Sequence, residues 1–144
     1  MQEKYERQMK KGVLDMLVLR LLEEEKKYGY QLIMELREES GGIFCLKEGT
    51  LYPILYRLED EGLVESRWSE AERGQIPRKY YLMTEKGRRT MGEMYVRWSQ
   101  IAAGVEKLMG QKQIRRISEE EPGGTAISPW SERRKADECG TLCE

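Results

Sequence analysis

Residues 48–66 read EGTLYPILYRLEDEGLVES. Leu51, Ile54, Leu55 and Leu58 recur at intervals of three and four, the stripe that one helix face needs in order to bury itself. Thr50, Tyr52, Pro53, Tyr56 and Arg57 lie off that stripe and contribute nothing to it. Their chemistry suits a surface that something approaches. A threonine hydroxyl can hydrogen-bond a base or a phosphate, and its methyl can touch a thymine. Tyrosine hydroxyls and a guanidinium reach phosphates. Proline adds apolar surface without a flexible side chain. The competing use of Tyr52 and Tyr56 is as wedges holding this helix against the next element, because tyrosine is intermediate in burial.

A second set of cations follows. Arg67, Arg73, Arg78 and Lys79 cluster in residues 67–79, with Gln75 among them, and Arg7, Lys10 and Lys11 stand near the N-terminus. Glu65, Glu70 and Glu72 are close by, so a salt-bridged surface competes with phosphate contact here. Residues 111–144 carry six basic and seven acidic side chains, which leaves 19 of each in residues 1–110. Nucleic-acid affinity would then come from a local patch and not from net charge.

These side chains need a scaffold. VLDMLVLRLL, residues 13–22, is apolar on nearly every side and predicts a buried helix from near Lys10 to around Lys26. Leu32, Ile33 and Leu36 predict a second helix, with Gly29 at its start and Gly41-Gly42 after its end. The helix of residues 48–66 is the third. Pro53 favours an N-cap at Gly49 or Thr50, whereas the stripe also allows a start at Glu48 with a loosened first turn. Gly62 is the expected C′ residue. LVESRWS and RKYYLM then read as two strands, with Val64 and Trp68 on one face and Glu65 and Arg67 on the other. Gly74 and Pro77 supply the turn. Three helices followed by a hairpin are the layout of a winged helix-turn-helix.

Thr84 is a good N-cap for the stretch that follows. There Met91, Met94, Trp98, Ile101, Val105 and Leu108 step by three and four, with Tyr95, Ala102 and Met109 on the flank. Such a stripe is too apolar for a lone helix in water and needs the winged domain or a second chain to cover it. Trp98 is first a packing residue in that seam, and secondly a flat face on which an aromatic ligand could stack. From Gln111 the periodicity stops, and prolines, glycines and charge blocks predict a disordered tail over 111–144, with Trp130 the one residue there able to anchor something.

Several function classes are excluded or disfavoured. The chain of 144 residues contains no histidine, so neither a Ser-His nor a Cys-His nucleophile can be assembled. No phosphate-binding glycine loop occurs. Cys45, Cys139 and Cys143 form no C-x-x-C pair, and no metal or other cofactor is expected. With 39% apolar and 35% charged residues and no apolar run of bilayer length, no membrane partner is expected. The charged start MQEKYERQMKKG lacks a signal-peptide core, so a cytoplasmic location is expected.

YGYQLI, GTLYPILYRLEDEGLVES, RKYYLMTEKG and the tryptophan of YVRWSQI resemble, in order and spacing, the PadR-type transcriptional regulators over roughly residues 10–110. Tyr28 stands where that family often has histidine. The resemblance implies a homodimer of winged helices joined by the C-terminal helix, bound to a promoter operator, usually as a repressor. It also implies release by a small effector in some members, and relatives with a tryptophan on the dimer helix look able to sandwich planar aromatic compounds.

The expected organisation is mainly α with a small β-hairpin wing. Residues 1–84 form the DNA-binding domain and 85–110 a dimerisation helix. The DNA-binding set is Lys47, Thr50, Tyr52, Pro53, Tyr56, Arg57, Arg73, Gln75, Arg78 and Lys79. The dimer and effector set is Met91, Met94, Tyr95, Trp98, Ile101, Ala102 and Val105. The rival reading is a winged-helix protein-interaction module that binds no DNA.

Overall fold

In a computed structural model of the chain, the backbone is described for residues 2–70 and 73–120, and side chains for 3–70 and 73–110. The elements in order are α1 (Gln2–Lys11), α2 (Leu14–Leu21), β1 (Lys27–Tyr28), α3 (Gly29–Glu39), α4 (Glu48–Asp60), β2 (Val64–Trp68), β3 (Lys79–Met83) and α5 (Glu85–Glu120). The mainly helical layout with a wing and a long C-terminal helix agrees with the sequence reading.

The expected helix from Lys10 to Lys26 is corrected on both sides. The chain turns at Gly12 and Val13, where the Val13 amide bonds the Lys10 carbonyl at 3.1 Å, so an additional helix precedes α2. At the other end α2 stops at Leu21, and Leu22 caps it through bonds to the Val18 and Leu19 carbonyls. Within α2, Leu14, Val18, Leu19 and Leu21 are buried, as a helix apolar on nearly every side requires. They meet Leu32 and Leu36 of α3, the α4 stripe Leu51, Ile54, Leu55 and Leu58, and Leu63, Val64 and Tyr81 in one core.

The wing is a three-stranded antiparallel sheet in the order β1–β3–β2, wider than the hairpin expected. Val64 lies opposite Met83, Ser66 opposite Tyr81 and Trp68 opposite Lys79. β1 adds Lys27 opposite Tyr81, and the buried Lys27 ammonium pairs with Glu35 of α3 at 2.7 Å.

The junction to α5 is tightly built. Gly62 takes φ 75°, and the Leu63 and Gly62 amides close α4 on the carbonyls of Leu58 and Glu59. Thr84 does cap α5: its hydroxyl oxygen accepts from the Gly87 amide at 3.0 Å and donates to the Gly62 carbonyl at 2.7 Å. Lys86 donates to the Glu61 carbonyl at 2.8 Å. The first turn of α5 is thereby fastened to the end of α4. α5 breaks its helical path at Gly110, with φ 34° and ψ −165°. Residues 111–120 continue as helical backbone, within the stretch where a disordered tail is expected. The remainder of that tail, with Trp130, Cys139 and Cys143, lies outside the described residues.

Tyr81 is fully buried, and its hydroxyl has no hydrogen-bond partner among the described residues. Burial pushes its pKa up to about 12, with Tyr56, Glu59 and Tyr52 adding to the rise. The ordinary tyrosine value is about 10. A raised folded-state pKa stabilises the fold fully below the unfolded value, and that contribution disappears as pH rises through the folded value. Tyr81→Phe should therefore be neutral or stabilising at pH 7, by less than about 1 kcal/mol, because it removes an unsatisfied buried hydroxyl. It should also blunt the stability loss between about pH 10 and pH 12. Thermal melts of both proteins at neutral and alkaline pH check this; a variant markedly less stable at pH 7 would show that the hydroxyl is needed.

Candidate nucleic-acid interface

α3, a turn and α4 form the helix-turn-helix. Gly41 and Gly42 end α3 with φ 65° and 85°, and the Gly42 amide bonds the Arg37 carbonyl at 2.8 Å. Ser40 then accepts from the Phe44 amide at 3.0 Å, and Phe44 and Leu46 pack on the core. The turn is thus anchored before α4 begins. α4 starts at Glu48, so the looser of the two starts left open by Pro53 is the one adopted. Lys47 is the N-cap, and its carbonyl takes the amides of Thr50 and Leu51, each at 3.0 Å. Pro53 sits inside the helix and cannot donate to the Gly49 carbonyl four residues back.

Helical spacing puts Gly49, Pro53, Tyr56 and Asp60 on one exposed face, opposite Leu51, Leu55 and Leu58. Thr50 and Arg57 lie on one flank of that face, Tyr52 and Glu59 on the other. Tyr52 is half-buried, packs on the core, and brings its hydroxyl end against Gly29 at the start of α3. It is therefore a wedge, although towards α3. Its ring stands 6.1 Å from that of Tyr56, which is exposed. The Lys79 ammonium lies 5.6 Å from the centre of the Tyr56 ring, so the wing and α4 meet at these two residues. Ser66 of β2 adds a bond to Glu59 at 2.9 Å.

The remaining candidates are distributed around this junction. Arg57 turns to the other side of α4 and pairs with Asp15 of α2. Arg78 lies 5.9 Å from the ring of Tyr28, whose edge meets Tyr80 at 6.2 Å. The Arg78 amide donates to the Ser69 hydroxyl at 2.9 Å, and its carbonyl takes the Ser69 amide at 2.7 Å, extending the hairpin beyond β2 and β3. Arg73 and Gln75 are exposed in the loop between the strands, beside Gly74 at φ 86°. Glu72 of that loop lies outside the described residues. Two wing residues outside the expected DNA-binding set, Trp68 and Ile76, are large, apolar and in water. Alternation places Trp68 on the core-facing side of β2, but the strand outruns the core.

On α5, Met91 and Met94 pack against the chain's own core, so only part of the stripe is left uncovered. Met91, Gly92, Tyr95 and Trp98 face Val13, Met16 and Leu17 across a cleft of about 670 Å³. Tyr95 and Trp98 are stacked, with ring centres 6.3 Å apart and planes 20° apart. Met94, Trp98 and Ile101 border a second hollow on the other side, and Ala102 is half-buried one residue further along. Among the described residues no cluster of metal-ligating side chains occurs, and no helix is long and apolar enough to cross a membrane.

Comparison with known proteins agrees with this geometry. The family described as "Transcriptional regulator PadR-like family" matches residues 18–93, from the middle of α2 to the third turn of α5. A crystal structure of a PadR family transcriptional regulator from Eggerthella lenta shares 38% identity and a TM-score of 0.65, covering 72% of this chain and 88% of that one. The negative transcriptional regulator PadR of Bacillus subtilis is 28% identical over 65% of this chain and 51% of its own length. The structure of Bacillus subtilis PadR in complex with operator DNA has a TM-score of 0.53 at 27% identity, covering 58% of this chain and 47% of that one. Matched by family and by fold, the chain belongs to the PadR-like transcriptional regulators, a family of regulators and not of enzymes.

Proposed function

We propose that this regulator is a cytoplasmic homodimer that binds a promoter operator as a repressor and is released by a small planar aromatic effector. The observation that carries the DNA reading is the junction of Tyr56 and Lys79, which joins the exposed face of α4 to a basic wing. In a helix-turn-helix the second helix enters the major groove, N-terminal residues foremost. That puts Thr50 and Pro53 towards base edges and Tyr56 beside the backbone, with Arg73, Gln75, Arg78 and Lys79 reaching phosphates from the wing and Lys47 from the helix start. The Bacillus subtilis relative, named as a negative regulator and crystallised with operator DNA, supports the same reading. Arg57, held by Asp15, contributes mainly by fixing α4 to α2.

The balance of 19 basic and 19 acidic side chains in residues 1–110 favours the rival, a protein-interaction module. Two variants separate the readings. Thr50→Ala should weaken binding to the operator by about tenfold or more while sparing random duplex, because a base contact is worth about 1–3 kcal/mol at one position. Arg78→Ala should weaken both duplexes and reduce the salt slope by about one unit for each copy bound. Fluorescence anisotropy of labelled duplexes reads both. Equal losses from Thr50→Ala on the two duplexes contradict the recognition-helix assignment, and no binding to any duplex favours the rival.

The effector reading rests on the cleft beside Trp98, whose volume suits a small organic ligand. An aromatic compound there gains stacking and apolar burial. To act as an inducer it must prefer a dimer whose two α4 helices are misplaced for the operator, and about 1.4 kcal/mol of preference lowers affinity tenfold. With Trp68 and Trp130 changed to Phe, planar aromatics should quench Trp98 and shift the DNA-binding curve together. A panel that does neither leaves Trp98 as packing alone.

A further inference from the structure

An exposed tryptophan is not unusual on its own, since apolar atoms make up much of any protein surface. Trp68 is distinguished by where the sheet puts it. It lies directly opposite Lys79, and cross-strand partners have Cβ atoms about 5 Å apart on the same face. Period two places it on the face shared with Val64 and Ser66, and that face is turned to α4: Val64 is in the core and Ser66 bonds Glu59 of α4. Yet Trp68 keeps 66% of its surface in water. Lys79, its neighbour, already bridges to the exposed Tyr56 of α4. Tyr56, Lys79 and Trp68 therefore form one continuous surface from the candidate recognition helix onto the wing.

We propose that Trp68 is an uncharged anchor for the sugar–phosphate backbone of bound duplex, an assignment that rests on the DNA-binding reading above. The indole N–H donates to a phosphate oxygen and the ring packs on the adjacent deoxyribose. Lys79 beside it supplies the charge that draws the same strand in. Indole suits this place because it offers a large apolar face and a single donor at once. A contact of this kind positions the protein on DNA without reading sequence. It also releases no counterion, which separates it from every lysine and arginine in the wing.

The test measures affinity against salt for the operator and for a random duplex of equal length, by anisotropy of labelled DNA. Trp68→Ala should weaken both about tenfold and leave the salt slope unchanged, whereas Lys79→Ala should lower the slope by about one unit per copy. Trp68→Phe should fall between wild type and Trp68→Ala, keeping the ring and losing the donor. The emission that Trp68→Phe removes should become shielded from acrylamide when duplex is added. Wild-type affinity in Trp68→Ala, a loss confined to the operator, a reduced slope, or unchanged quenching with DNA bound would each overturn the assignment while leaving the DNA reading intact. If the wild-type chain binds neither duplex, both fall together.

Discussion

Replacing both Ile101 and Val105 with Asp should convert the protein to a monomer and abolish operator binding at concentrations where the wild type is saturated. In the single chain these residues are 65% and 53% exposed, and Leu108 is 89% exposed. Met91 and Met94 of the same stripe already pack on the chain's own core. What remains is a face from Trp98 to Met109 that a second copy would cover. An unpaired buried charge costs several kcal/mol, and each substitution enters a symmetric interface twice. The dimer dissociation constant should therefore rise by about a thousandfold or more. Since both side chains face water in one protomer, the helix content should not change, so circular dichroism separates loss of pairing from loss of fold. Sedimentation equilibrium gives the answer, and a double variant that remains dimeric would refute the assignment of this face.

The largest effect on stability should come from a single added methyl at Gly87. A Cβ there would lie 2.1 Å from the Leu63 carbonyl oxygen and 2.9 Å from Met83 Cγ. The oxygen belongs to backbone that also accepts the Thr84 amide at 3.0 Å, so it cannot retreat without opening the junction between α4 and α5. Gly87→Ala should cost about 2–3 kcal/mol, which lowers the melting temperature by about 10 °C or more. Two other glycines calibrate it. At Gly29 the added atom meets the Tyr52 hydroxyl end at 2.6 Å, which can swing aside at smaller cost. At Gly92 nothing lies within 4 Å, and alanine in that helix should be neutral or stabilising by up to about 1 kcal/mol. A Gly87→Ala protein that melts like the wild type would mean that α5 is not seated on Leu63.

Local patterns in the sequence carried most of this architecture. The α4 stripe, the Gly62 terminus and the Thr84 cap each depend on residues within one or two turns of one another, and each could be read directly. The missed features depend on something else. The break at Gly12 interrupts a charged segment followed by an apolar one, and a single glycine is tolerated inside helices often enough to be passed over. β1 has two residues, too few for any periodicity. Residues 111–120 lack an apolar stripe but are rich in Glu, Arg, Gln and Lys, which favour helix by propensity alone. In the candidate interface, Tyr56 was legible as lying off the apolar stripe of its helix and Lys79 as a wing cation, but not that the two would meet. Arg57 was legible as a cation, but its partner Asp15 sits on another helix and no local signal links them. Trp68 was legible as sharing a face with Val64, but its exposure was not, because alternation tells which side a residue is on and not where the core ends.

Selection of bound duplexes from a random pool would show whether α4 and the wing together read a DNA sequence. Successive rounds should recover an inverted repeat whose half-sites lie about one helical turn apart, since two recognition helices of a symmetric dimer must meet adjacent faces of the duplex. Recovery of unrelated sequences with no shared repeat, at an affinity no better than that of the starting pool, would contradict that reading.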